Sequence, residues 1–339
     1  KAACPEVSVV VINARETKYL EKCLSFLVKT DYPNFEIMVV DCQTPQIEKW
    51  VAERFENVKV VHYEYDIGPS ASHNVGVAEA NSTSKYVAFL DNDTVVESKW
   101  LKELIKVVEE DERKGVAQVK ILRMDDEERL DHTGLALDAL GTWSTTFNTR
   151  EKTFSRVFEI FAASFASCIV RRDVFNEVGG FDEDYFIYDD DTDFCWRTRL
   201  LGYEIIFVPS ARARHCGQIA KGLSPRRLYH SVKNRICTML KNYEQRNLWQ
   251  RICRFYILTL LSAFALILLL KPDQAFAVLK GLAYPILNLK TVWRKRLTVQ
   301  IRRRVTDEGL FQKGLLRRDV YPTVLDVINK VALMIFEKQ

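Results

Sequence analysis

Runs of β-branched residues alternate with stretches of helical periodicity through the first 110 residues, and this alternation leaves the chain few folds to choose from. Val7-Ser-Val-Val-Val-Ile12 reads as a strand buried on both faces. From Thr17 to Lys29 the apolar residues Leu20, Cys23, Leu24 and Leu27 recur at helical spacing. Phe35 to Val40 is a second strand, ending at Asp41, and Gln46 to Phe55 a helix. Val58 to His62 is a third strand and Ser70 to Ala80 a helix of small residues. Lys85 to Leu90 and Trp100 to Glu110 give a fourth strand and a fourth helix. Strands and helices in this order predict a mostly parallel α/β sheet flanked by helices and wound by right-handed crossovers.

Beyond Gly115 the pattern loosens. Val116 to Leu122 is strand-like, and Asp125 to Arg150 is irregular or mixed. Phe161 to Val170 predicts a strand, Arg171 to Val178 a helix, and Gly179-Gly-Phe-Asp182 a turn. Asp189 to Leu201 opens with acids and continues as a helix. Gly202 to Val208 is a final strand, with Arg214-His215 just past it.

Asp91-Asn92-Asp93 falls at the end of the fourth strand, where α/β sheets bind ligands. Two carboxylates so placed suit a hard divalent cation such as Mg²⁺ or Mn²⁺. A solvated Asp-rich turn is an equal reading of this short stretch taken alone. The chain has 339 residues, 47% of them hydrophobic and 28% charged, enough for one large or two ordinary globular domains. Eight cysteines without a CxxC pair favour buried free thiols in a reducing cytosol over a disulfide framework or a zinc site. No basic segment followed by an apolar one opens the sequence, so no secretory signal is expected.

The net charge of +4 hides a strong asymmetry. Lys221 to Arg304 holds 18 Lys or Arg against Glu244 and Asp273, a net of +16, which leaves −12 for the rest. Domains are therefore expected at 1–220 and 221–339. The basic part also carries the longest uncharged run, Phe255 to Leu270. As a helix that run is about 24 Å long, short of a hydrocarbon core of about 30 Å. Lys271-Pro272-Asp273 marks a turn into a second apolar segment, Gln274 to Leu289, broken by Lys280 and Pro285. Arg251 and Arg254 precede the pair and Arg294, Lys295 and Arg296 follow it. Positive charge stays cytoplasmic, so a re-entrant or interfacial hairpin around 252–290 fits better than one crossing. A buried pair of core helices is the bland alternative. An apolar-rich tail, Val324 to Phe336, could lie on a bilayer or pack on the other domain. Basic residues beside apolar ones point to anionic lipid rather than nucleic acid, for which interleaved aromatics near Arg302 to Arg304 are missing.

Val7 to Ile12, Val39-Val-Asp41, Asn74-Val-Gly76, Phe89-Leu-Asp-Asn-Asp93, Gly179-Gly-Phe-Asp182 and Asp190-Asp-Thr-Asp-Phe-Cys-Trp-Arg197 occur in that order. Together they resemble the family 2 glycosyltransferases of the GT-A fold, over roughly Val7 to Gly217. The nearest likeness is to the rhamnosyltransferase-like branch, whose C-terminal extension associates with membranes. The resemblance implies inverting transfer from a nucleoside-diphosphate sugar to a lipid-linked or growing glycan acceptor. The charge segregation and the Phe255 to Leu270 run add the expected setting, the cytoplasmic face of the cell membrane, in a peripheral, monotopic or hairpin attachment.

The family's Asp-x-Asp motif falls on Asp91 and Asp93. The resemblance makes Asp93 a direct ligand of Mn²⁺ or Mg²⁺, with Asp91 acting directly, through water or on the ribose. His215 falls where related enzymes place a third ligand; a lone His is otherwise most often structural. The family's Glu-Asp pair aligns with Asp190-Asp191. Asp191 would be the base that deprotonates the acceptor hydroxyl, and Asp190 would bind acceptor or tune its partner. Asp193 reads as a helix-start carboxylate favoured by the dipole. Asn13, Arg15, Asp41, Asn74 and Asn92 would join Asp91 in holding the donor.

Three departures touch the donor pocket: Asn13-Ala-Arg-Glu16, Asp41-Cys-Gln-Thr-Pro45, and His73 where an Arg is common. Arg15 could stack on or pair with the base in place of a missing aromatic. Ala162-Ala-Ser164 and Ser167 could leave room for an acceptor sugar or could reflect close strand packing. A sugar nucleotidylyltransferase would need a glycine-rich loop after the first strand, which Asn13 to Glu16 lacks. A degenerate scaffold subunit would have no need of the intact Asp91, Asp93, Asp191 and His215.

Overall fold

A computed structural model describes residues 4–217 and 224–320. In chain order the first elements are β1 (Val7–Ala14), α1 (Lys18–Leu27), β2 (Phe35–Cys42), α2 (Ile47–Ala52), β3 (Val58–Tyr63) and α3 (Gly68–Glu79). There follow β4 (Tyr86–Asp91), β5 (Thr94–Val96), α4 (Trp100–Val108), β6 (Lys114–Arg123), β7 (Gly134–Leu137), β8 (Trp143–Thr145) and β9 (Phe158–Glu159). Next are β10 (Ser167–Arg171), α5 (Arg172–Val178), α6 (Asp190–Leu200) and β11 (Glu204–His215). The rest is helical: α7 (Pro225–Asn242), α8 (Gln245–Leu268), α9 (Pro272–Leu287), α10 (Leu289–Arg302) and α11 (Asp307–Gln312).

The chain divides into two compact units. Among the described residues, 4–134, 145–186 and 202–217 form the first; 135–144, 187–201 and 224–320 form the second. The two earlier segments of the second unit, which carry the acidic stretch from 189 to 193, have no signature in composition.

The first unit is built on a nine-stranded sheet of order β3-β2-β1-β4-β10-β6-β11-β5, with β9 paired to β11. β1 to β4 are parallel, as the β-branched runs separated by helices require. β10 runs antiparallel between β4 and β6. Val7, Val9, Val11, Ala88 and Leu90 are fully buried beneath Leu20, Leu24 and Leu27 of α1 and Trp100 and Leu104 of α4. On the other face α3 approaches β1 closely: a Cβ on Gly76 would stand 2.2 Å from Val10 Cγ1. Only glycine permits that approach.

Two expectations change. The strand foreseen from Phe161 begins only at Ser167. The last strand does not stop at Val208; β11 continues to His215, with a register shift between Val208 and Arg212. Pro209 lacks an N–H, so the ladder breaks there and resumes.

In the second unit β7 and β8 pair as a short ribbon. α7 packs against α6, α8, α9 and α10. Its last carbonyls are capped from α10 and beyond. Arg296 donates to Leu240 O and Tyr243 O at 2.5 and 2.8 Å, Gln300 to Lys241 O at 2.8 Å, and Arg303 to Asn242 O. Basic side chains belong at a helix C-terminus, where carbonyls lack partners. Arg251 and Arg296, two of the residues flanking the apolar pair, are thus buried structural groups. α8 and α9 are joined by Leu269 to Lys271. α8 is, by length and composition, able to cross a membrane. The apolar tail from Val324 to Phe336 lies outside the described residues.

Candidate active site

Sheet order reverses between β1 and β4: β2 and β3 extend to one side of β1, β4 begins the other. Loops leaving two such strands diverge and open a crevice at their C-terminal ends. Here it is a cavity of about 570 Å³ whose lining includes Asn13, Glu16, Asp66, Asn92, Asp93 and His215, with Asp91 at the strand end.

Asp91 closes β4, opposite Ile12 of β1. Asp93 precedes β5, and the antiparallel pairing of β5 with β11 sets His215 opposite Thr94. Asp91, Asp93 and His215 thereby offer ligand atoms that all lie within 4.8 Å of one another. His215 Nε2 is 3.1 Å from Asp93 Oδ1 and 3.8 Å from Asp91 Oδ2. Its Nδ1 is 2.5 Å from Asp131 Oδ2. Burial opposes the His215 imidazolium, but hydrogen bonds to Asp131 and Asp93, and the charges of Asp93 and Asp91, outweigh it and raise its pKa to about 11. Burial lifts Asp91 to about 6; His215 opposes the rise, and Asp93 and Asp131 add to it. Three acids and one imidazolium therefore share this corner.

The donor set fits a divalent cation. Two carboxylates supply hard oxygens, and Asp131 accepts a hydrogen bond from the Nδ1–H of His215, which leaves Nε2 as the ligand atom once its own proton departs. Asp131 was not legible as a site residue. It lies 84 residues before its partner in the irregular stretch, and the adjacent acid and imidazole of Asp131-His132 are the one local signal.

The donor-side residues separate into those at the cavity and those behind it. Asn13 and Asn92 line it, with Asn92 Nδ2 donating to Asn13 Oδ1 at 2.6 Å. Asp41 is fully buried on β2, in register with Asn13 on β1 and His62 on β3. It accepts from Asn13 Nδ2 at 2.5 Å, Thr44 Oγ1 at 2.7 Å and Thr44 N at 3.1 Å, and lies 2.8 Å from His62 Nδ1. Arg15 has φ 68° and turns to Asp66 at 2.7 Å and Gln43 at 2.8 Å. Asn74 pins the glycine turn: its Nδ2 donates to Phe181 O and its Oδ1 accepts from Phe181 N. His73 is buried among Phe89, Phe165 and Phe181, with both ring nitrogens unpartnered, and burial lowers its pKa to about 3. A neutral His73 in that setting brings no cationic charge to the position where an Arg is common.

The acidic stretch belongs to the second unit. Its entrance is strained: Tyr188 and Asp189 have φ of 68° and 57°, rare for residues with a Cβ. Asn234 of α7, itself fully buried, donates to Ile187 O at 2.8 Å and to Tyr188 O at 2.7 Å and holds this backbone in place. Asp191 has its pKa raised well above the ordinary carboxylate value by burial, with Asp190 and Asp189 adding to the rise. That is the condition of a carboxylate suited to accept a proton. Asp193 has another occupation than a bare helix start. It is fully buried, 2.8 Å from Arg197 Nε and 2.9 Å from Lys241 Nζ, and accepts from Asn242 at 3.1 Å.

Residues 8–179, half of the chain, match the profile described as glycosyl transferase family 2. The chain belongs to that family. Within it, the sequence is 25% identical over 226 residues to the rhamnosyltransferase WbbL of Escherichia coli, covering 62% of this chain and 83% of that protein. It is 27% identical over 231 residues to the O-antigen biosynthesis protein RfbC of Myxococcus xanthus, covering 62% of this chain but only 17% of that much longer protein. The chain thus spans a minor part of some curated relatives and most of others. Among solved structures, GalNAc-T7 with UDP, GalNAc and Mn²⁺ aligns with a TM-score of 0.60 at 16% identity, over 84% of this chain and 58% of that one. The likeness fixes the fold as GT-A.

Proposed function

We propose that the chain is an inverting glycosyltransferase. It moves one sugar from a nucleoside-diphosphate sugar to a lipid-linked or growing glycan acceptor at the cytosolic face of the cell membrane. The observation that carries the reading is the Asp91, Asp93 and His215 trio at the sheet's switch point, with Asp131 fixing the imidazole. Relatives named for rhamnosyl transfer and O-antigen synthesis support it. So does a structural neighbour solved with UDP and Mn²⁺.

Asp93, His215 and Asp91 would hold Mn²⁺ or Mg²⁺, which when bound neutralises charge on the departing diphosphate. Asn13 and Asn92 bind donor at the cavity. Asp41, Arg15 and Asn74 shape the pocket through Asn13, Asp66 and the glycine turn. Asp191 accepts the acceptor hydroxyl proton as the new C1–O bond forms and the bond to the diphosphate oxygen breaks. Attack from the side opposite that oxygen inverts the anomeric centre. Asp190 keeps the Asp191 pKa high and binds the acceptor.

The test is a panel of UDP-, GDP- and dTDP-sugars, including a rhamnose donor, assayed for Mn²⁺-dependent release of nucleoside diphosphate. Asp93→Ala is expected to abolish release and transfer. Asp191→Asn is expected to slow transfer by about 10²–10⁴-fold while slow donor hydrolysis persists. Transfer that survives Asp93→Ala overturns the reading.

A further inference from the structure

Of the 21 large hydrophobic residues exposed among the described residues, 16 fall between Trp249 and Ile301. Such a concentration marks an interaction surface rather than ordinary scatter. On α8 it comprises Ile257, Leu260, Leu261, Phe264, Ile267 and Leu268. On α10, Leu289, Trp293, Leu297 and Ile301 recur every four residues, a stripe along one side, while Val292 and Arg296 face inward. α9 adds Phe276, Ile286 and Leu287. The charge around this surface has one sign. Between Gln245 and Thr306 there are 12 Lys or Arg, of which Arg251 and Arg296 are buried, and one acid, Asp273.

We propose that the outer sides of α8, α9 and α10 lie in a single leaflet of an anionic bilayer, with the helix axes along the membrane plane. The proposal rests on the membrane-face part of the reading above and specifies the surface, its depth and its lipid. Charge decides the occupant. A second copy would bring a net positive rim against another, whereas anionic headgroups complement it. Exposed Arg254 and Lys271 stand at the ends of the apolar run of α8 and exposed Lys290 at the start of α10, where side chains reach the headgroups. Trp293 has the amphipathic ring favoured at that level.

Length decides the depth. The exposed apolar run of α8 from Ile257 to Leu268 rises about 18 Å, against a hydrocarbon core of about 30 Å. An upright hairpin would leave Lys271 and Asp273 near the bilayer centre, where ionised groups are costly. Lying in the plane, both ends of each helix stay at the polar interface.

The experiment is flotation of the full chain with phosphatidylcholine vesicles and with equimolar phosphatidylcholine–phosphatidylglycerol vesicles. The chain is expected to float with the anionic vesicles, weakly with the neutral ones, and to be released by alkaline carbonate. Phe264→Ser with Leu268→Ser is expected to lower partition about tenfold or more on both. Lys290→Gln with Arg294→Gln is expected to lower it about tenfold or more on the anionic vesicles alone. Folded protein that stays at the bottom of the gradient overturns the proposal. So does retention after carbonate, which indicates crossing, or a dimer dissociated by the apolar substitutions, which indicates a second copy. Donor cleavage measured on the same samples separates the two readings. Cleavage without flotation sinks this surface alone; flotation without cleavage leaves it standing and sinks the transfer reading.

Discussion

As the proposed base, Asp191 has opposite consequences for activity and for stability. Its folded-state pKa stands well above the value of an unfolded chain, chiefly through burial. The folded protein therefore binds more protons than the unfolded one between those two values. The favourable contribution is full below the unfolded carboxylate value of about 3.9 and is lost as pH rises through the folded value. At pH 8 that contribution has fallen away, and an amide there does not ionise. Asp191→Asn is expected to raise the urea midpoint at pH 8, to change it little at pH 4, and to lose transfer. A lower midpoint at pH 8 contradicts the assignment. The neighbouring acids show what a sequence can and cannot disclose. Asp190 and Asp191 adjoin in one motif, so the sequence alone sets them side by side. The real partners of Asp193 were not readable in it, since Lys241 and Asn242 lie almost fifty residues away.

At the scale of elements, α6 and α7 are joined by charge as well as by packing. Trp196 meets Tyr243 edge-on at 4.7 Å. Asp193 joins Arg197 on its own helix to Lys241, which is 2% exposed. Removing one member of a buried ion cluster leaves the others uncompensated. Asp193→Ala is expected to cost about 3–5 kcal/mol by urea denaturation. Lys241→Met in the same chain is expected to restore part of that. Unchanged stability with lost transfer would instead move Asp193 into the chemistry. The elements themselves were legible in proportion to their locality. β1 to β4 and α1 to α4 follow from β-branched runs and helical periodicity, which neighbouring residues set. β7, β8 and β9 are two to four residues long and exist through distant pairing, too short for a period to show. β11 read as ending at Val208 because Pro209 breaks the ladder, and its resumption is what sets His215 opposite Thr94.

Across the whole chain, one unit carries the nine-stranded sheet and the other α7 to α11. Family membership and the GT-A fold accord with the order of motifs. The trio Asp91, Asp93 and His215 was foreseen in part from spacing, and its geometry follows from β4, β5 and β11 meeting at one strand end. Asp131 completes it from a loop that carries no periodic signal. Calorimetric titration of nucleoside diphosphate into the protein, with and without Mn²⁺, tests the claim that this corner holds a cation beneath the donor. The expected result is binding that requires Mn²⁺, is lost in Asp93→Ala, and is weakened about 10–100-fold in Asp131→Asn through the imidazole it orients. Binding of equal strength without the metal, or undiminished in Asp93→Ala, would contradict it.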